Sequence, residues 1–317
     1  MKYNRLGKSG LKISEISLGS YLTFGEKGTE KDAIRTIHKA FDLGINSFDT
    51  ANVYQNGEAE RILASALKSF ARDEYVIATK AYWATRKGPN SKGLSRKHIV
   101  EQVHASLKRM NLEYIDIFYC HSYDYETPVE ETLRAIDDLI KQGKILYAGV
   151  SNWNSEQIEE AIHISDTYLI NRIVVNQCEY SLLKRDIEKS IIPVSEKLGI
   201  SQIVFSPLAQ GILTGKYNDR IPENSRANNP NVNKFFKKLF TKESLLTAQR
   251  LENIAKACNM SLTEFAIAWV LQQKNVASAL TGASTPQQIE ETVKAVSKQI
   301  PEEISIEMEH IHKLYSS

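Results

Sequence analysis

The chain has 317 residues, 42% of them apolar and 25% charged, enough for one large domain or two ordinary ones. A net charge of +2 with no dominant basic stripe speaks against a nucleic-acid binder. Three distant cysteines, Cys120, Cys178 and Cys258, form no CxxC pair or His/Cys cluster of zinc-ligand spacing, which excludes a disulfide framework and a structural metal and points to a reducing compartment.

In chain order, the opening MKYNRLGKSG lacks the apolar core of a signal peptide. No apolar run approaches the roughly 18 residues that span a bilayer. The expectation is a cytoplasmic protein that contacts no membrane. KYNRLGKSGLKIS reads as a short hairpin. Strand-like runs rich in β-branched or aromatic residues then recur: KISEISLG (12–19), INSFDT (45–50), YVIATK (75–80), YIDIFYCH (114–121), ILYAGVSN (145–152), RIVVNQ (172–177), QIVFSP (202–207) and ASALTGAS (277–284). Several are apolar on both faces, the mark of parallel strands covered by helices.

Helical spacing lies between them, at Ile34, Ile37 and Phe41, at Ile99, Val103, Leu107 and Met110, and at Val129, Leu133, Ile136 and Ile140. Thr29 with Asp32, Asn154 with Gln157, and Thr285-Pro286 with Gln288 read as helix starts. Gly44, Gly143 and Gly199 read as stops. Repeated strand–helix units predict an α/β fold, a (β/α)8 TIM barrel formed by residues 1–317 as a single domain. The rival doubly wound sheet would normally carry GxGxxG after its first strand, and Leu18-Gly19-Ser20-Tyr21-Leu22 does not. Residues 209–241, after the seventh strand, read as a long irregular loop.

Active sites of such barrels sit at the C-terminal strand ends. There the second strand delivers Asp49 and, in its loop, Tyr54; the third delivers Lys80 and the fourth His121. Singly, each has a plain structural reading: Asp49 as a helix cap, Lys80 as a solvated strand end, His121 as a core histidine. Together they form a pairing arrangement, because a buried Asp or Lys is costly without a partner. A free phenol has a pKa of about 10. A neighbouring ammonium lowers it, so Asp49 is expected to orient a lysine that tunes Tyr54 as a general acid. The other six histidines fall in helical stretches and read as surface or packing residues. GILTGK (211–216) has the wrong glycine spacing for a P-loop. NKFFKKLF (233–240) reads as a lid helix with its apolar side inward, in preference to a membrane contact.

The segments SFDTANVYQNGEAE, VIATK, YIDIFYCH, GVSNW, NQCEYSLL, FSPLAQGILTGKY and LTGASTPQQIEE resemble, in order, those of the aldo-keto reductases. GLSRKHI, ASLKRMNLEYIDI and PVEETLRAIDDLIKQGK are most similar to the branch containing the voltage-gated potassium channel β subunits and their bacterial relatives. The resemblance implies an NADPH-dependent reductase acting on aldehydes or ketones, with Asp49, Tyr54, Lys80 and His121 as catalytic tetrad. The alternative it leaves open is a nucleotide-binding regulatory subunit with slow or vestigial chemistry. In the channel branch the last tetrad position is commonly Asn, and His121 here favours a working enzyme. A possible homo-oligomer is also left open.

For the cofactor, the resemblance assigns Ser151, Asn152 and Gln177 to the carboxamide and Phe205 to the nicotinamide face, where the family usually has Tyr or Trp. Gly19, Ser20, Tyr21, Asp49, Ser206, Pro207, Leu208, Gly211 and Gly282 are implied as further cofactor contacts. Ser284, Gln288, Glu291, Lys216 and Arg226 match the family's adenosine-side positions. The helix start at Ser284–Gln288 suits an anion on physical grounds. Seven Lys/Arg against two Asp/Glu between 216 and 242, taken together with the resemblance, favour a 2′-phosphate, hence NADPH over NADH. Substrate contacts are expected from Tyr21, Tyr54, Trp83 and His121, with Phe24, Tyr82, Tyr123, Tyr125 and Trp153 as further candidates for an apolar mouth.

Overall fold

The computed structural model describes residues 1–21, 23, 29–223, 225–228 and 234–315, with backbone only for 226, 234, 235 and 310–315. Strands β1 (Tyr3–Arg5) and β2 (Lys12–Ser14) pair antiparallel as the expected hairpin. Eight parallel strands follow: β3 (Ile16–Gly19), β4 (Ser47–Asp49), β5 (Val76–Ala81), β6 (Ile115–Cys120), β7 (Ile145–Ser151), β8 (Ile173–Glu179), β9 (Ser201–Phe205) and β10 (Val276–Gly282). They close into a barrel in chain order, β10 returning to pair with β3. The (β/α)8 expectation therefore holds. The single run expected over 12–19 divides at Glu15, because its first half belongs to the hairpin and only its second half to the barrel.

The helices form where spacing and caps direct. Helix α1 (Glu30–Asp42) begins with a reciprocal Thr29–Asp32 capping box. Helix α2 (Glu58–Leu67) follows β4, α3 (Arg96–Met110) follows β5, and α4 (Val129–Lys141) follows β6. Helix α5 (Ser155–Tyr168) starts in a second box between Asn154 and Gln157, and α6 (Ile191–Leu198) ends at Gly199 with φ of 77°. The segment after β9 carries more order than expected: 3-10 turns at Ala209–Thr214 and Arg226–Asn228, then helix α7 (Lys234–Leu239). Phe236 of α7 is buried and stacks on Phe240 at 5.0 Å, so the apolar side of this helix turns inward. Helices α8 (Lys242–Ala257), α9 (Leu262–Gln272), α10 (Pro286–Lys294) and α11 (Glu302–Tyr315) complete the order.

Two cores result. The larger lies between strands and helices. The smaller fills the barrel with Val76, Ala78, Ile117, Tyr119, Val175 and Ile203, and Leu6 and Ile13 of the hairpin join it. Inward positions alternate along each strand, so Ala78 and Lys80 share the interior while Thr79 faces the helices. Among the described residues no single helix is long and apolar enough to cross a membrane; α8 and α9 reach that hydropathy only jointly, across an 87° bend.

Gly149 on β7 makes room for the interior. A Cβ there would stand 2.6 Å from the Tyr119 ring and 2.7 Å from Val175 Cγ1. Gly149→Ala is expected to destabilise the fold by about 1–3 kcal/mol through overpacking, read as a lower urea midpoint at unchanged slope.

Candidate active site

Register carries the polar residues to one mouth. Asp49 ends β4 opposite Ala78 of β5, two residues short of Lys80. The Lys80 ammonium reaches back, pairs with Asp49 Oδ1 and donates to the Thr50 carbonyl at 2.8 Å. Gln177 of β8 donates to the other Asp49 oxygen at 2.9 Å. Side chains of Lys80 and Asp49 are 1% and 6% exposed, so this is an ion pair sealed from solvent. Burial pulls the Lys80 ammonium below its ordinary 10.5, and Asp49 opposes that pull.

Tyr54 opens a tight 3-10 turn, Tyr54–Gly57. Gln55, Asn56 and Gly57 are all left-handed, with φ of 48°, 54° and 92°. Such a run costs strain that neighbours must hold. The turn swings the half-buried phenol back over the barrel, where Lys80 Nζ lies 5.2 Å from its ring centroid. Tyr21 flanks the ring at 5.0 Å and His121 meets it edge-on at 5.7 Å.

One expectation is reversed here. The Tyr54 phenol is pushed well above its ordinary 10.0, first by burial and then by Asp49. Lys80 does not lower it, because the ammonium charge is already balanced by Asp49 and desolvation decides the sign. His121 follows β6, its backbone N–H continuing the ladder to Ala81 O at 3.1 Å. Burial and then Lys80 push its imidazole down to about 3, so it is neutral at pH 7, and its buried Nδ1 has no partner among the described residues.

The residues expected around a nicotinamide lie on the same rim. Gly19 pairs in register with Asp49 on one side and Gly282 on the other. Ser20 is buried, its amide donating to Asp49 O at 2.9 Å and its hydroxyl without a partner among the described residues. Ser151 is buried beside Gln177, and exposed Asn152, at φ of 57°, donates to the Ser151 hydroxyl at 3.1 Å. Gln177, expected on a carboxamide, gives one of its two amide N–H groups to Asp49. Phe205 ends β9 half-buried, and Ser206, Pro207 and Leu208 follow it into the 3-10 turn that includes Gly211, with Ser206 at φ of 56° and Gly211 at 102°. The Lys216 ammonium stands 5.0 Å over the Tyr217 ring and is close enough to Gly211 to touch a Cβ there.

At the start of α10, Thr285 caps the Gln288 amide, while the Gln288 side chain accepts from the Ser284 amide at 2.8 Å. One donor expected for a phosphate is thus capped from within. Glu291 lies exposed on the same helix. The side chain of Arg226, and all of Phe24, lie outside the described residues. Trp83 is 51% exposed and meets Tyr82 at 4.8 Å, with no ring contact to the tetrad.

Sequence reasoning missed Tyr119. It points into the barrel beneath Lys80, its buried ring 5.8 Å from the ammonium. Its position two residues before His121 on an alternating strand is the signal that could have found it. Also missed was Glu60, wholly buried behind β5.

A model of the aldo/keto reductase family matches residues 15–314. A Schizosaccharomyces pombe protein named as a putative voltage-gated potassium channel subunit beta is 43% identical over 299 residues, covering 92% of this chain and 87% of the relative. Proteins named as probable subunits of the same kind are 42% identical in Arabidopsis thaliana and 40% in Oryza sativa, over 93% of this chain and 91% of each relative. The chain belongs to the aldo/keto reductase family, a family of oxidoreductases that generally bind nicotinamide cofactors.

The depressed histidine sets a pH limit. Between its ordinary 6.5 and about 3 the unfolded chain takes up a proton that native His121 refuses, so stability falls as pH drops through that window. His121→Asn removes this contribution. Denaturant midpoints from pH 7 to pH 4 should fall less steeply for the variant than for the wild type.

Proposed function

We propose that this aldo/keto reductase is an NADPH-dependent reductase of aldehydes or ketones, with Tyr54 as its general acid. The observation that carries the reading is the sealed Lys80–Asp49 pair lying under a protonated phenol at the barrel mouth. The donor set suits the cofactor: an orphaned buried hydroxyl on Ser20, amide and hydroxyl groups on Ser151 and Asn152, and the flat, half-buried face of Phe205. When bound, the reduced nicotinamide supplies the hydride that reaches the carbonyl carbon. Tyr54 gives its proton to the carbonyl oxygen as negative charge develops there. Lys80 stabilises the phenolate that is left, and Asp49 keeps Lys80 charged and aimed. Neutral His121, edge-on to Tyr54, orients the carbonyl oxygen. Lys216 and the backbone start of α10 are the groups we assign to a 2′-phosphate and its neighbours. The free thiols of Cys120, Cys178 and Cys258 fit a cytoplasmic setting.

A nucleotide-sensing role is the competing reading, favoured by the names of the channel-subunit relatives. Turnover separates the two. Wild type should oxidise many equivalents of NADPH against a panel of small aldehydes and bind NADH more weakly. Consumption that stops at one equivalent would instead favour the sensor. Tyr54→Phe should bind NADPH as wild type does and lose about 10²–10⁴-fold in kcat; near-normal turnover would remove Tyr54 from its role.

A further inference from the structure

The geometry points to Arg109 as a positioning residue that braces the left-handed turn carrying Tyr54 against the strand carrying Lys80. This rests on the proposed role of Tyr54. Glu60, in the first turn of α2, is wholly buried and divides its two oxygens between two elements. Oε1 accepts from the Thr79 hydroxyl at 2.7 Å, one residue before Lys80. Oε2 accepts from Arg109 Nε at 2.5 Å, reaching in from α3.

Arg109 also packs against the turn. A Cβ on Gly57 would stand 2.7 Å from Arg109 Cδ and 2.8 Å from Nε. Gly57 closes the run of left-handed residues that begins one position after Tyr54. That conformation persists only where surroundings over-determine it. A second tether joins the same loop to α3, from Asn52 to Gln102 at 2.8 Å. One guanidinium therefore neutralises a buried acid that is itself bonded to the Lys80 strand, and stops the Tyr54 turn from relaxing. Glu60 joins Asp49, Tyr54, Tyr119 and His121 among the titratable groups around Lys80.

A purely structural ion pair makes a different prediction from a brace. Arg109→Met alone strands the Glu60 charge and could simply unfold. The double variant Glu60→Gln/Arg109→Met removes that charge, keeps an amide oxygen at position 60 to accept from Thr79, and still lacks the brace. For the double variant we expect a folded protein whose thermal midpoint lies between those of the wild type and of Arg109→Met. Amides of residues 55–57 should exchange about ten-fold faster. With the aldehyde that wild type reduces fastest, kcat should fall about ten-fold or more, while KM and NADPH Kd stay within about two-fold. Arg109→Lys, which keeps charge but not the fork, should recover part of kcat. Wild-type exchange and kcat in a folded double variant would overturn the inference. Were the wild type itself inactive towards every aldehyde, the functional reading would fail, and amide exchange would still decide the brace.

Discussion

The arrangement depends on one interaction, the sealed ion pair between Lys80 and Asp49. Taking two charges out of water costs several kcal/mol per ion, and their attraction repays this only when the remaining donors and acceptors are also satisfied. Here both carboxylate oxygens and two of the three ammonium protons have partners: Gln177 donates to the second carboxylate oxygen, and the Thr50 carbonyl takes a second ammonium proton. Lys80 and Asp49 come from neighbouring strands, but Gln177 comes from β8, so the full arrangement exists only once the barrel has closed. Register sets the reach. Asp49 is level with Ala78, which leaves Lys80 one inward position higher, where its long chain can turn back.

That neutralised pair determines the protonation of the groups above it. A bare ammonium beside Tyr54 would favour the phenolate. An ammonium matched by a carboxylate leaves burial to decide, and burial favours the neutral phenol. The same burial keeps His121 uncharged. The resting mouth therefore holds a loaded proton on Tyr54 and a neutral imidazole beside it. On the proposed reductase reading, a general acid needs its proton at rest and a reason to release it, and an oxyanion developing near Lys80 would supply that reason.

The barrel and the positions of the tetrad were legible because they rest on local signals: runs of β-branched residues, helix caps, and polar residues at strand ends. What escaped the sequence depends on three-dimensional balance. The sign of the Tyr54 shift could not be read from a lysine's presence, since it turns on how fully Asp49 cancels that lysine. The capped start of α10 was hidden because Gln288 reads equally as a helix-start residue and as a ligand for the Ser284 amide. The split of 12–19 was hidden because both halves have strand composition and only pairing separates them. Tyr119 and Glu60 were missed for another reason: each looks like ordinary strand or helix filling until its burial beside Lys80 is seen.

The cost of the pair bears on whether this chain works as an enzyme or only holds a nucleotide. Replacing a buried ion pair with apolar residues of similar volume is often neutral or stabilising. A site that merely bound a dinucleotide could do so with the rim alone, through Ser151, Asn152, Phe205 and the start of α10. It would gain nothing from a sealed ammonium below a phenol, a strained turn that aims the phenol, and a second buried acid holding that turn to the lysine's strand. The reductase reading assigns each of these costly features a part in moving one proton to a carbonyl oxygen at every turnover, a sensor that oxidises one equivalent would use them once, and a site that only held the nucleotide would leave them without a use.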